Sequence, residues 1–237
     1  MKKIIIFIAI QLAMAKLYAQ VDPIRQKLDS IFQHINKSQV PTGYLKEYGA
    51  DMMPLHWFKG VMTDSNFVAN IDAFRFIYHD FTTAKIQSAL PLMTDLLIVN
   101  NTIDNLRSNA NTPIAIMYGS YASLRDDALI QNLFTISNQQ VYDVAGRTQN
   151  PYVTNALFAA APITEKFIDT VRLGFNTALY YTNSNVTISN VSVDFKDGLG
   201  YQLIPSNGVV TKIYTDSSST KYRYKSKTQQ RRFCILP

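Results

Sequence analysis

Three histidines (His34, His56 and His79), two glutamates (Glu47 and Glu165), fifteen aspartates, one cysteine (Cys234) and the pair Gly119-Ser120 are the residues through which this sequence could do chemistry. Each type needs partners. Acyl transfer requires a nucleophile beside an oriented base, glycoside hydrolysis requires two carboxyl groups facing across a cleft, and a metal requires clustered ligands. His34 falls within a helical pattern and has no candidate ligand three or four residues away, so it reads as an ordinary helix-surface residue. His79 adjoins Asp80 on a second helical pattern. Neighbouring helix positions do not face each other, which makes this a poor acid–base pair. His56, beside the sole tryptophan Trp57, is the best placed of the three, yet nothing near it in sequence completes a site. Ser120 lies in Met117-Tyr-Gly-Ser-Tyr-Ala-Ser123, which lacks the flanking glycines of a Gly-x-Ser-x-Gly nucleophile elbow.

The usual local signatures are missing as well. The sequence has no Cys-x-x-Cys, His-x-x-x-His, His-Glu-x-x-His, phosphate-cradling glycine loop or Gly-x-Gly-x-x-Gly. The expected catalytic, cofactor-binding and metal-binding residues are therefore none, and no cofactor is expected. A triad or metal site would have to assemble from distant segments. With Cys234 alone, no internal disulfide can form, so stability must come from burial, which a body of about 215 residues can supply.

The formal charge of +6 sits at the two ends. Lys2, Lys3 and Lys16 lie near the start, and Lys221, Arg223, Lys225, Lys227, Arg231 and Arg232 near the finish; residues 21–220 carry 14 basic against 17 acidic side chains, a formal −3. A nucleic-acid binder would carry its basic patch on the fold itself, so no nucleic-acid partner is expected.

These residues must be positioned by the following elements. Residues 1–19 read as a secretory signal peptide: a charged start, an apolar run of about ten residues and a small residue before a cut after Ala19. That run falls short of the roughly 18 to 20 apolar residues that span a bilayer, so no integral membrane segment is expected after cleavage. Asp22-Pro23 opens a helix with Ile24, Leu28, Ile31, Phe32 and Ile35 on one face, ending near Lys37. Pro41 breaks it, and Tyr44, Leu45 and Tyr48 could form one or two turns closed by Gly49. Met52, Met53, Leu55, Trp57 and Phe58 could make an exposed sugar-stacking platform, but they crowd together as core-filling residues do and are expected to be buried. Asp64-Ser65-Asn66 caps a second helix carrying Phe67, Ile71, Phe74 and Tyr78. Pro91 opens a third, with Leu92, Leu96, Val99, Ile103 and Leu106.

After Asn111 the period falls to two. Ile114, Ile116 and Tyr118 alternate, and Leu129 to Ile136 and Val141 to Val144 give short extended runs. Gly146-Arg-Thr-Gln-Asn-Pro-Tyr152 is the most loop-like interior segment and the expected domain joint. Beyond it Val171, Leu173 and Phe175 alternate, as do Val186 and Ile188, then Val191, Val193 and Phe195 after a phase shift that implies a turn or bulge at Ser189-Asn190. Turn residues at Asp197-Gly198, Pro205-Ser-Asn-Gly208 and Asp216-Ser-Ser-Ser219 recur at about ten-residue intervals, the rhythm of an antiparallel sandwich. Lys221-Tyr-Arg-Tyr-Lys225 reads as a charge-protected edge strand. The expected fold is α+β: a mainly helical domain over 20–150 with a few short strands at its end, an immunoglobulin-like β-sandwich over 151–227 and an irregular tail over 228–237 that reads like a chain ending early or shifted in frame.

Gln39-Val-Pro-Thr-Gly-Tyr-Leu-Lys-Glu-Tyr-Gly49, Thr112-Pro-Ile-Ala-Ile-Met117 with Arg125-Asp-Asp-Ala-Leu129, and Leu157-Phe-Ala-Ala-Ala-Pro-Ile-Thr-Glu-Lys166 resemble the N-terminal region of large uncharacterised secreted proteins of the Bacteroidota, as does the Tyr18-Ala-Gln20 signal end. The resemblance implies export to the periplasm, outer surface or exterior. It also implies longer relatives that continue into an α/β-hydrolase-like domain and a type IX sorting domain. Two roles are consistent with it: a non-catalytic secreted or cell-surface module, the N-terminal part of a larger protein, that engages a protein or a surface glycan; or the accessory N-terminal region of a truncated secreted α/β-hydrolase-like enzyme.

Overall fold

The computed structural model describes residues 23–58, 60, 69–90, 93–107, 111–164, 170–195, 197–205, 207–213, 223–228 and 232–235. The signal segment and its cleavage point, Asp22, the capping run Asp64-Ser65-Asn66, Phe67, Pro91, Leu92, Glu165, Asp216-Ser-Ser-Ser219, Lys221 and Tyr222 lie outside the described residues.

The protein is α+β, with helices and a large β content, and it divides into two compact units: Met1–Ile35 with Leu129–Gln149, and Asn36–Ala128 with Asn150–Pro237. A unit boundary falls at Gln149/Asn150, beside the joint expected near residue 150, but the units are not residues 20–150 and 151–227: Asn36–Ala128 belongs with Asn150–Pro237. The strand Thr112–Leu124 pairs with Tyr152–Pro162, so the chain returns to the same sheet after the hairpin of the other unit.

In the first unit, helix α1 (Pro23–Ile31) is followed by the hairpin β2 (Phe134–Ser137) and β3 (Gln140–Asp143). Asn138 and Gln139 both take positive φ, 50° and 62°, the twist a two-residue hairpin turn requires. The helix ends at Ile31, short of the Lys37 that periodicity suggested. His34 therefore lies beyond the helix, where it bridges to Tyr142 and stacks on its ring at 4.2 Å and 11°. Arg147 pairs with Asp143 and lies over the Phe134 ring.

The second unit has three layers. At its centre is the sheet β4-β1-β5-β8, made of β4 (Tyr152–Pro162), β1 (Thr112–Leu124), β5 (Thr170–Thr182) and β8 (Val209–Ile213). β1 and β4 pair antiparallel from Ile114↔Pro162 to Leu124↔Tyr152, whereas β1 and β5 run parallel. On one face lies a second sheet, ordered β10-β9-β6-β7, from β6 (Ile188–Asp194), β7 (Tyr201–Pro205), β9 (Arg223–Thr228) and β10 (Arg232–Ile235). Ile114, Ile116, Phe158, Leu173 and Phe175 meet Val191, Val193, Phe195 and Ile204 across this interface. On the other face pack α2 (Ile71–Thr83) and α3 (Leu96–Leu106), whose Phe74, Ile77, Tyr78, Phe81, Val99 and Ile103 meet Ala115, Met117, Leu157, Ala159 and Tyr181.

Several expectations are corrected by this arrangement. The sandwich is not confined to 151–227, because its central strand is β1, and it is not antiparallel throughout, because β1 and β5 are parallel. The tail expected to be irregular contributes β10, paired with β9 from Arg232↔Lys227 to Ile235↔Tyr224. The second helix begins after Asn70, whose side chain accepts the Ala73 N–H at 2.7 Å. The third begins after Asp95, which accepts from Leu97 N at 2.8 Å. Both are short polar side chains that satisfy a first-turn donor. The ladder between β6 and β9 shifts register between Ile188 and Asn190, where the sequence changes phase. β5 also changes phase: Leu173 and Phe175 face the second sheet, but Leu179 and Tyr181 face the helices, with the register against β1 slipping between. An odd number of extra residues sends the following side chains to the opposite face.

Candidate functional site

The motif-dense stretch after Pro41 is held between α2 and β1. Leu45 N donates to Ala84 O at 2.8 Å and Ala122 N donates to Tyr44 O at 2.8 Å, so the Tyr44-Leu45 backbone bonds to the end of α2 on one side and to β1 on the other. Both side chains are buried, and the Tyr44 ring stacks on Phe81 at 4.9 Å. The chain then makes a 3₁₀ turn over Lys46–Tyr48 and packs closely against α2 at Gly49, where an added Cβ would lie 2.8 Å from Asp80 O. Any other residue would push the turn off the helix. The result is to carry Glu47 to the far end of β1, where its Oε2 accepts the Leu124 N–H at 3.2 Å.

Around Glu47 the structure opens a cleft of about 370 Å³. Lys46 and His56 come from the loop segments; Tyr121, Ser123, Arg125 and Asp126 come from β1 and the residues after it; Val153 and Asn155 come from β4. Burial pushes the Glu47 carboxyl up, against the lowering effect of its backbone hydrogen bonds. Burial, and then the nearby Glu47 charge, raise the Tyr121 phenol to about 12. The Arg125 guanidinium is clamped by Asp127 through two bonds of 2.8 Å, and this holds the Asp127 carboxyl below its usual range. Asn155 Nδ2 donates to Ser123 Oγ at 3.1 Å and to Val153 O at 3.3 Å, tying the two strands together at the mouth.

No family model, no curated protein and no solved structure matches this chain. What can be said of the site therefore rests on its geometry.

The residues singled out from sequence fare differently. His56 borders the cleft but is exposed, with its ring edge-on to Trp57 at 6.1 Å. Leu55 and Phe58 of its cluster are buried, Met53 and Trp57 pack partly against the core, and Met52 is half exposed, so the core expectation holds for part of the cluster only. His79 and Asp80 do approach, Nδ1 to Oδ1 at 3.6 Å, although adjacent helical positions point about 100° apart. The two groups serve different surroundings. Asp80 is wholly buried, accepts the Met53 N–H at 2.6 Å and is raised in pKa by burial, while His79 stays partly exposed. Asp80 thus anchors the loop before His56. Ser120 sits within β1, not on an elbow, and both of its backbone groups are engaged by the Asn183 amide, at 3.0 and 2.9 Å, which extends the ladder where β5 ends. His34 belongs to the other unit.

Among the described residues no group of three His, Cys, Asp or Glu side chains could hold a metal ion, and no helix is long and apolar enough to cross a membrane. A second cavity, of about 230 Å³ beside Pro113, Phe175 and Asn207, has no ionisable lining. Sequence reasoning singled out His56 and named Glu47, but missed Tyr121 and Asn155 as members of one site. Glu47 had a signal, as one of two glutamates in a stretch crowded with tyrosine; Tyr121 and Asn155 had none, since only the β1–β4 register brings them together.

Proposed function

We propose that this chain is a secreted or cell-surface module with an interaction role, the N-terminal part of a larger protein of the Bacteroidota kind that its motifs resemble. The observation that carries this reading is the surface of β7 and β8. Each is the edge strand of its sheet, and each turns large apolar side chains to solvent: Leu203 is 55 % exposed on β7, and Ile213 is 74 % exposed on β8. Tyr201, Val209 and the turn residue Leu199 extend the row. Edge strands are ordinarily protected by charge, bulges or a covering element. Here the one lysine of β8, Lys212, is drawn aside to Asp197 at 2.9 Å, leaving the apolar row uncharged. A protein partner that covers these strands removes that surface from water. The same surface serves the alternative role, in which the chain is an accessory region packed on an α/β-hydrolase-like domain.

Leu203→Lys with Ile213→Lys tests the reading, because exposed positions tolerate charge without loss of fold. The double variant should keep the wild-type circular dichroism and lose co-sedimentation with envelope fractions of the source cells. Retained co-sedimentation would remove the support for a partner at this surface. A catalytic role is tested separately: the purified chain should show no turnover of short-chain esters or common glycosides. Turnover abolished by His56→Ala, with the fold intact, would replace the non-catalytic reading.

A further inference from the structure

The cleft beside Glu47 keeps polar groups that the fold does not use. The Tyr121 side chain is 1 % exposed, and its hydroxyl has no partner among the described residues. A buried hydroxyl left unbonded costs about 1–3 kcal/mol, a cost that phenylalanine would avoid at the same size. Ser123 Oγ accepts from Asn155, but its own O–H has no acceptor among the described residues. Asn155 donates twice through Nδ2, and its carbonyl oxygen accepts nothing among the described residues. One buried, unbonded hydroxyl and two partly exposed polar side chains thus line one cleft, which also borders the apolar side chains of Leu124 and Val153.

The charges say what kind of molecule fits. The cleft is lined by two cations, Lys46 and Arg125, and two carboxyls, Glu47 and Asp126, which balance one another, and Arg125 is further paired with Asp127. An anion would meet Asp126 and a cation would meet Lys46, each at a desolvation cost that no fixed partner offsets. A neutral ligand rich in hydroxyl groups meets neither penalty. Its hydroxyls match the open donors and acceptors, and its C–H faces match Leu124 and Val153. At about 370 Å³ the cleft falls toward the small end of ligand sites, which run from about 300 to 1,000 Å³.

We propose that the cleft between the Lys46–Tyr48 turn and the Leu124 end of β1 binds a neutral polyhydroxylated ligand, one or two sugar rings, with Tyr121, Ser123 and Asn155 hydrogen-bonding its hydroxyl groups. The site is separate from the β7 and β8 surface, so either proposal can fail without the other.

Trp57, the only tryptophan and the ring neighbour of His56, is a built-in reporter. The full chain is titrated with glucose, galactose, mannose, N-acetylglucosamine, cellobiose and lactose, reading Trp57 fluorescence and saturation-transfer NMR. At least one sugar should give a saturable response. Retention on cellulose or agarose then distinguishes a polymer from a free sugar, and binding in either form supports the proposal. Tyr121→Phe should weaken binding by about 2- to 10-fold, the worth of one neutral hydrogen bond, while Tm stays level or rises. Opposite directions for affinity and stability separate a ligand role from a packing role. Asn155→Ala should weaken binding comparably, and Leu203→Lys should leave it unchanged. The proposal is overturned if all six sugars are silent by both readouts and neither polymer retains the chain, if Tyr121→Phe leaves affinity unaltered, or if acetate or methylammonium binds where the sugars do not.

Discussion

The two faces of the central sheet are packed by different means. Toward the second sheet, Ile114, Ile116, Val171, Val191 and Val193, with Leu173, pack with Phe158, Phe175 and Phe195, an interface in which mostly β-branched residues stand against flat neighbours. Toward the helices, the sheet offers the small residues Ala115, Gly119, Ala159 and Ala161, and the space is taken by Phe74, Tyr78, Phe81, Tyr44, Tyr121 and Tyr181. Among the described residues the helix face buries more of the polar groups: the Asp80 carboxyl, the Tyr78 hydroxyl bonded to Thr94 O at 2.6 Å, and the tyrosine hydroxyls of Tyr44, Tyr121 and Tyr181, which have no partner there, whereas the other face holds Tyr118 and the Tyr180 hydroxyl bonded to Val186 O at 2.7 Å. The face toward the helices carries buried tyrosine hydroxyls left unbonded among the described residues, and the cleft lies at its end.

The largest test of this contrast removes one large ring from each face. Phe195→Ala and Phe81→Ala should each cost about 3–5 kcal/mol, read by chemical denaturation. Phe81→Ala should also shift the Trp57 emission, since Phe81 and Trp57 pack in the same helix-side cluster, whereas Phe195→Ala should not. An equal shift in both would erase the distinction between the faces.

Gly119→Ala should cost less, about 1–3 kcal/mol, because its Cβ would fall 2.4 Å from Phe81 Cζ and the ring must move. Adding Phe81→Leu should make the double variant more stable than the two separate losses predict. Strict additivity would mean that the glycine is not there to seat the ring.

Smaller again is the pH effect of Glu47. Its pKa is raised above the ordinary 4.5, so the folded state holds the proton more tightly than the unfolded chain. Its contribution is therefore full below pH 4.5 and is lost as pH rises through the raised value. Glu47→Gln lacks this dependence. The stability of the wild type relative to the variant, followed by thermal melts from pH 4 to 8, should fall with rising pH; a flat difference would mean that burial does not raise the Glu47 pKa. The smallest effect is expected at the sandwich edge, where Lys212 and two further donors hold the Asp197 carboxyl down to about 2. This contribution has the opposite sign, present above pH 3.8 and lost as pH falls toward 2. Because both partners are partly solvated, Asp197→Asn should cost only about 0.5 kcal/mol, measured by urea titration at neutral pH.

The local elements were readable from spacing. The stripes Ile71, Phe74 and Tyr78, and Val99 and Ile103, face the core as their period requires, and the phase change at Ser189-Asn190 coincides with a register shift in the ladder. The turns at Asp197-Gly198 and Asn207-Gly208 form through an Asx bond to Leu199 N and through positive φ at Gly198 and Asn207. Helix ends were placed less well, because Asn70 and Asp95 could not be told from other capping residues nearby without seeing which one meets an open N–H. One clue in β1 was passed over: Ala115 and Met117 lie between Ile114, Ile116 and Tyr118, and a strand apolar at every position is one covered on both faces.

The sequence by itself determined what could be decided locally: hydrophobic period, caps, turns, the ends where the charge lies and the absence of compact catalytic motifs. Only the tertiary structure decided which strands are neighbours, that β1 and β4 pair although the other unit's hairpin lies between them in sequence, and that Glu47, Tyr121 and Asn155 share a cleft. Period fixes which side of an element must leave water. It leaves open what that side is buried against, because any complementary apolar face removes the same surface from solvent, and the partner is chosen by how the whole set of faces can be covered at once.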